Sequence, residues 1–275
     1  MSTCGIAQLD GRFFTYTPII YKTHKTKRMT FKSQIEAYRQ AHAEQTSSKS
    51  RLRAVLFDMD GVLFDSMPNH AMSWSKVCKE FGLDIEPVEV FMNEGRTGAS
   101  TINMLTHRYW KRDATQEEIE HIYAEKCRLF NACPEATKMA GAERVLEAVK
   151  NAGLTIVVVT GSGQRSLLDR LDHNYPGFFT PELIVSSQDV KHGKPDPEPY
   201  LMGLEKAGVR ADEALVVENA PLGVRAGVAA GIFTVAVNTG PLPEKALLDE
   251  GANLLFHNMN ELADNFNTIF TEWEA

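Results

Sequence analysis

From Arg53 onward, six short apolar runs recur between stretches of helical periodicity: Ala54–Phe57, Thr155–Val159, Leu183–Val185, Ala214–Val217, Phe233–Val237 and Asn253–Phe256. Runs this short and β-branched, apolar throughout rather than alternating, read as strands buried on both faces. The covers are helical stretches at about 141–152, 164–172, 196–207, 220–230, 243–250 and 259–272. The pattern predicts an α/β fold, a Rossmann-like doubly wound parallel sheet. In such sheets ligands bind beyond the carboxyl ends of the strands.

The alternation breaks once. Between Met67 and about Pro134 only helical stretches occur, roughly 67–82, 99–111 and 115–132. An all-helical block inserted after the first strand reads as a cap over that strand's carboxyl end. The expected organisation is an extension and linker over 1–50, a core made of 51–66 and 138–275, and an α-helical cap over 67–137. Residues 32–45 are expected to form one short helix, and Gln45–Ser50 to be a linker.

Charge excludes some partners. Residues 1–53 hold ten Lys and Arg against three acids, while the 275-residue chain carries −7, so the remainder is strongly acidic and a poor nucleic-acid binder. The basic start is expected to be solvated, and Met29 is an alternative start. No run of about 18 apolar residues suggests a membrane span. The four cysteines form no CxxC, which fits reduced thiols in a cytoplasmic protein. The expected state is a monomer whose partner is a small phosphorylated molecule.

Three predicted strands end in polar residues at one edge. The first leads into Asp58 and Asp60, two apart, which places both side chains on one side of an extended chain. Gly61 then permits a sharp turn. Paired carboxylates repel and call for a cation, and Mg2+ suits hard oxygen ligands. Asn219, Glu218 or both are candidates to complete its shell from the fourth strand. The second strand ends Thr160-Gly161-Ser162-Gly163, hydroxyls and exposed amides suited to a phosphate-like anion. Lys194, before Pro195 and Pro197, is a cation whose loop the prolines stiffen.

Together, "DMDGV" (Asp58–Val62), Thr160, Lys194 and "ENAPLGV" (Glu218–Val224) resemble the haloacid dehalogenase superfamily of phosphohydrolases, over residues 53 to about 270. The cap resembles that of its β-phosphoglucomutase-like branch. The resemblance implies that Asp58 attacks phosphorus and forms an aspartyl phosphate, and that Asp60 is general acid and then base. It also implies that Thr160 and Lys194 steady the transferring group, and that Asp58, the Asp60 carbonyl and Asn219 hold Mg2+. One departure matters: Asn219 stands where this family usually has a second acid. Glu94, in "NEGRTGAS" (Asn93–Ser100), is the candidate to restore that charge from the cap. His70 and Trp74 match mutase-like spacing after Asp60. The arginine with which mutases of this branch grip a distal phosphate is replaced by Thr101, and Arg96 lies about a turn earlier. The strings "EGRTGAST" and "VVENAPLG" are similar to bacterial inorganic pyrophosphatases of this fold. The expected reaction is hydrolysis of inorganic pyrophosphate, with hexose-phosphate phosphatase or β-phosphoglucomutase as the alternative. A non-catalytic phosphate-binding protein stands behind both.

Overall fold

The computed structural model describes residues 5–9, 12–16, 30–43, 50–163 and 165–275. Met29 and most of the expected linker lie outside them. The chain forms two compact units, Met1–Thr30 and Phe31–Ala275. In the first, β1 (Gly5–Leu9) pairs antiparallel with β2 (Arg12–Tyr16). This hairpin stands where a solvated extension was expected.

The second unit begins with α1 (Phe31–Ala41). The sequence reading left this helix in the extension, whereas the structure joins it to the core. Its apolar residues Ile35 and Tyr38 are three apart, hence on one face, and both are buried. Tyr38 meets Phe233 edge-on at 5.3 Å and donates its hydroxyl to the Gly231 carbonyl at 2.7 Å.

Six strands follow: β3 (Ala54–Phe57), β4 (Thr155–Val159), β5 (Ile184–Val185), β6 (Ala214–Glu218), β7 (Phe233–Val237) and β8 (Leu254–Phe256). All pairs are parallel, in the order β5-β4-β3-β6-β7-β8, with Ala54 opposite both Thr155 and Ala214. The chain runs from β3 out to β5, then crosses to the other side of β3 to begin β6. That reversal places the ends of β4, β3 and β6 side by side, where a doubly wound sheet opens its ligand crevice.

The two sheet faces divide by the strand period of two. Val55, Phe57, Ile156 and Val158 pack towards α6 (Ala142–Asn151) and α11 (Met259–Glu274). Ala54, Leu56, Val157 and Val159 join the other layer with Tyr200 and Leu204 of α8 (Glu198–Ala207) and Ala226 of α9 (Pro221–Ala229). The remaining core helices are α7 (Arg165–Asn174) and α10 (Glu244–Leu248).

The cap comprises α2 (Met67–Glu80), α3 (Pro87–Met92), α4 (Gly98–Trp110) and α5 (Gln116–Asn131). It has its own core of Trp74, Val77, Ile102, Leu105 and Ile122. Helix α3 was not foreseen. It is six residues long, with Pro87 in its first turn and a Glu86–Glu89 capping box, and is too short for helical periodicity to register. Among the described residues, no helix is long and apolar enough to cross a membrane.

Candidate active site

Asp58 follows the last residue of β3, at the centre of the sheet, and is buried. Lys194, from the loop before α8, donates to Asp58 Oδ1 at 2.5 Å, to Glu218 Oε1 at 2.6 Å and to the Val159 carbonyl at 2.9 Å. Glu218 has no lone pair to spare. Its Oε1 also accepts the Tyr200 hydroxyl at 2.8 Å, and its Oε2 accepts the amides of Asn219 and Ala220 at 2.9 and 3.2 Å. Four donors fill the four acceptor positions of a carboxylate. In this structure its oxygens aim Lys194 and close the β6–α9 turn, so Glu218 bears on the acidic cluster mainly by its charge. Burial pushes the Asp58 carboxyl up to about 7, with Glu218 and Asp60 adding to the rise and Lys194 opposing it. The two carboxylates beside it hold the Lys194 ammonium above its ordinary value despite the cost of burial.

Three buried oxygens here have no donor: Asp58 Oδ2, Glu94 Oε2 and Asn219 Oδ1. Carboxylate oxygens of Asp58, Glu94 and Glu218 come within 4.8 Å of one another. Orphaned acceptors in an acidic pocket are the complement of a hard cation, so the donor set fits Mg2+ held by Asp58, Asn219 and Glu94. Glu94 arrives from the cap, in the turn after α3, and burial together with Asp58 and Glu218 raises its carboxyl well above the ordinary value. Gly61 makes the approach of Asn219 possible. Its φ is +84°, and a Cβ there would lie 2.1 Å from Asn219 Nδ2.

Asp60 is held separately. Its Oδ1 accepts from Ser66 Oγ at 2.5 Å and from His70 Nε2 at 3.2 Å. His70 Nδ1 lies 3.0 Å from the Nζ of Lys126, which is buried within α5. An ammonium only donates, so Nδ1 is the acceptor and the proton sits on Nε2, directed at Asp60. Burial works to raise Asp60, but His70, Ser66 and Lys126 outweigh it and hold the carboxyl below its usual range. With Oδ1 taken, Oδ2 is the oxygen left for substrate. Lys126 was missed by the sequence reading. The available signal was its place on the apolar stripe of α5, with Ile122, Leu129 and Phe130, where a lysine is out of character. Tyr200 and Ser66 were missed as well.

Thr160, Gly161 and Ser162 follow β4. The Thr160 hydroxyl accepts the Ser162 amide at 3.0 Å and so fixes the curl of the loop. The cap lies close against it: a Cβ at Gly161 would fall 2.6 Å from the Gly95 carbonyl oxygen. The cavity between them has a volume of about 60 Å3 and is lined by Asp60, His70, Glu94, Arg96 and Ser162 among others. Asp58, Asp60, Thr160, Ser162, Lys194 and Asn219 therefore converge from the core, and His70, Glu94 and Arg96 from the cap. Trp74 lines the same cavity, as does Thr101, the residue at the position of the mutase arginine.

A family model described as haloacid dehalogenase-like hydrolase matches residues 55–237. Hexitol phosphatase A of Escherichia coli is 35% identical over 190 residues, covering 68% of this chain and 84% of that protein. The 6-phosphogluconate phosphatase of the same organism is 30% identical, covering 66% and 81%. Among solved structures, a candidate β-phosphoglucomutase from Bacteroides vulgatus is 56% identical, with a TM-score of 0.85, covering 89% of this chain and 98% of that one.

Proposed function

The chain belongs to the haloacid dehalogenase-like hydrolases, and on that premise we propose that it is a Mg2+-dependent phosphohydrolase of small phosphorylated molecules working through an aspartyl phosphate on Asp58. The observation that carries the reading is the trio of donor-free buried oxygens on Asp58, Asn219 and Glu94, beside a lysine locked onto the same Asp58. Asp58 forms a bond to phosphorus as the bond to the leaving oxygen breaks; Asp60, ionised in the free protein, takes up a proton when the negative charge of bound substrate raises its pKa, and delivers that proton to the leaving oxygen. Asp60 then takes a proton from the water that cleaves the aspartyl phosphate. Lys194 and the Thr160–Ser162 loop hold the negative charge of the transferring group. When bound, Mg2+ supplies charge neutralisation at the phosphoryl oxygens.

Two of the relatives named above are a hexitol phosphatase and a 6-phosphogluconate phosphatase, and the third is a candidate β-phosphoglucomutase, so phosphorylated sugars and their derivatives become the leading substrate class, with the mutase reaction on such a sugar as the alternative to hydrolysis. The expectation from sequence that put pyrophosphate first finds no support among them. Pyrophosphate stays as a second reading on one observation. Glu94 enters the acidic cluster from the cap and the cavity of about 60 Å3 is small, with room for roughly four to six waters at ~10–15 Å3 each.

The test is phosphate release with Mg2+ from hexitol 6-phosphates, hexose phosphates, 6-phosphogluconate, pyrophosphate and p-nitrophenyl phosphate. Turnover on none of them sinks the reading. A kcat/KM for pyrophosphate above every sugar phosphate, lost in Glu94→Ala far more than on p-nitrophenyl phosphate, reverses the order of the two substrate classes.

A further inference from the structure

We propose that Thr239 is a positioning residue for the reaction: its hydroxyl holds the Asp60–Gly61 turn in the shape that sets Asp60 and Asn219 in place, and this rests on the phosphohydrolase reading above.

Gly61 is the soft joint of the site. Its φ is +84°, and Asn219 closes against it so tightly that a Cβ would lie 2.1 Å from Asn219 Nδ2. Glycine has the widest choice of backbone conformations, so its surroundings must select this one. Packing from behind does not select it, because a cleft of about 200 Å3 opens there, lined by Gly61, Asp65, Met67, Phe91 and Thr239 among others. Hydrogen bonds do. The Gly61 amide donates to the Phe64 carbonyl at 2.7 Å, within the turn itself. The Gly61 carbonyl accepts the Thr239 hydroxyl at 2.6 Å, from 178 residues away in the chain.

Thr239 lies two residues beyond β7. Its bond therefore ties the end of β3 to the end of β7, on either side of β6, the strand that leads into Asn219. The loop that carries it is fixed without help from the active site. The Asn238 amide donates to the Phe256 carbonyl at 2.8 Å, and Asn238 Nδ2 to the Leu242 carbonyl at 2.9 Å. From the cap, Phe91 lies against Gly240, where a Cβ would fall 3.0 Å from Phe91 Cδ1. A donor on a rigid loop loses little entropy in being aimed. Without it, the Gly61 carbonyl is free to turn into the cleft, and Asn219 loses the surface it rests against. Thr239 is not among the described residues that line the Asp60 cavity. It acts through Gly61, as outer partners act on the ligands of a metal.

Thr239 is half-buried on a loop, so Thr239→Val removes the hydroxyl and keeps the shape, while Thr239→Ser keeps the hydroxyl. Calorimetric titration of the free proteins with Mg2+ needs no turnover. Mg2+ should bind Thr239→Val about tenfold more weakly than wild type, and Thr239→Ser within about threefold of wild type. On p-nitrophenyl phosphate at saturating Mg2+, kcat of Thr239→Val should fall about tenfold while KM changes by less than about threefold. Equal Mg2+ affinity in Thr239→Val and wild type overturns the positioning role, whatever happens to thermal stability, because a bond that serves only the fold leaves that affinity alone. A loss that Thr239→Ser does not recover overturns it too. If wild type releases phosphate from no substrate, the hydrolase reading fails and the titration alone decides: the positioning role stands on the tenfold difference and falls without it.

Discussion

Core and cap each bury one lysine beside the site, and the two are solved in opposite ways. Lys194, 1% exposed, lies between Asp58 and Glu218 and above the Tyr200 ring. Its charge is matched and its pKa raised. Lys126, 2% exposed, makes no salt bridge among the described residues; it rests on the His70 imidazole and the faces of Phe130 and Trp74, at 4.8 and 5.6 Å, and feels Asp60 only at a distance. Burial lowers its pKa from 10.5 to about 8. A lysine saturated by carboxylates is a permanent charge, suited to holding phosphoryl oxygens. A lysine with a neutral partner is a weak charge whose work is to fix the proton of His70 and, through it, Asp60. The comparison predicts that the core lysine is essential and structural at once, while the cap lysine acts mainly on catalysis.

The largest expected effect tests where the two arms meet. Asp58→Asn should cut turnover by about three orders of magnitude or more with the fold retained, measured as phosphate release alongside circular dichroism. Substantial residual turnover would remove the covalent step and with it the role assigned to Lys194. Next, Lys194→Met should lower kcat by about 10²–10³. It should also cost about 3–5 kcal/mol in denaturant unfolding, because Asp58 and Glu218 are left buried and unpaired. A stable, merely slow variant would break the contrast between the lysines.

Lys126→Met should lower kcat by about tenfold, with thermal stability at pH 7 unchanged or higher, since an unmatched buried charge is removed. Its pH dependence sharpens the point. The native lysine loses its proton near 8 and the unfolded one near 10.5, so between these values the unfolded state binds more protons. Wild-type stability should therefore gain on that of Lys126→Met as pH rises from about 8 to 10.5. Lys194 has the opposite sign: with a raised native pKa, its contribution is complete below the unfolded value and is lost as pH climbs through the native one. Unfolding across pH 7–11 checks the contrast: the gap between wild type and Lys126→Met should shift in favour of wild type from about pH 8, while the gap to Lys194→Met should stay level until about pH 10.5.

How far the sequence could be read follows from the range over which each feature is encoded. Ala54–Phe57, Thr155–Val159 and Phe233–Val237 end where their apolar runs end, because a strand buried on both faces admits few polar residues, and those must satisfy themselves locally, as Thr234 does on the Ile232 carbonyl. The cap helices could be placed to within a residue or two where capping was written locally, as at Thr115 and Glu118. Asp58, Asp60, Thr160 and Asn219 could be picked out as candidates because each stands at or just past a strand end, and the doubly wound topology brings strand ends together. Helix α1 was located by its residues but misassigned, since its partners Phe233 and Trp273 lie about 200 residues away and no local signal states that pairing. The hydrogen-bond duties of Glu218 were hidden for the same reason. A carboxylate next to Asn219 looks like a ligand until Tyr200, Lys194 and two amides are seen to fill it.

By itself, then, the sequence determined the alternating sheet, the inserted cap and the carboxylate pair, all of them consequences of local periodicity and adjacent residues. Only the tertiary structure decided which charges are matched. It showed that Lys194 serves two carboxylates and that Lys126 reaches Asp60 through His70. The physical reason is that charge compensation is a short-range property of space. It is settled within a few ångströms by side chains that arrive from distant parts of the chain.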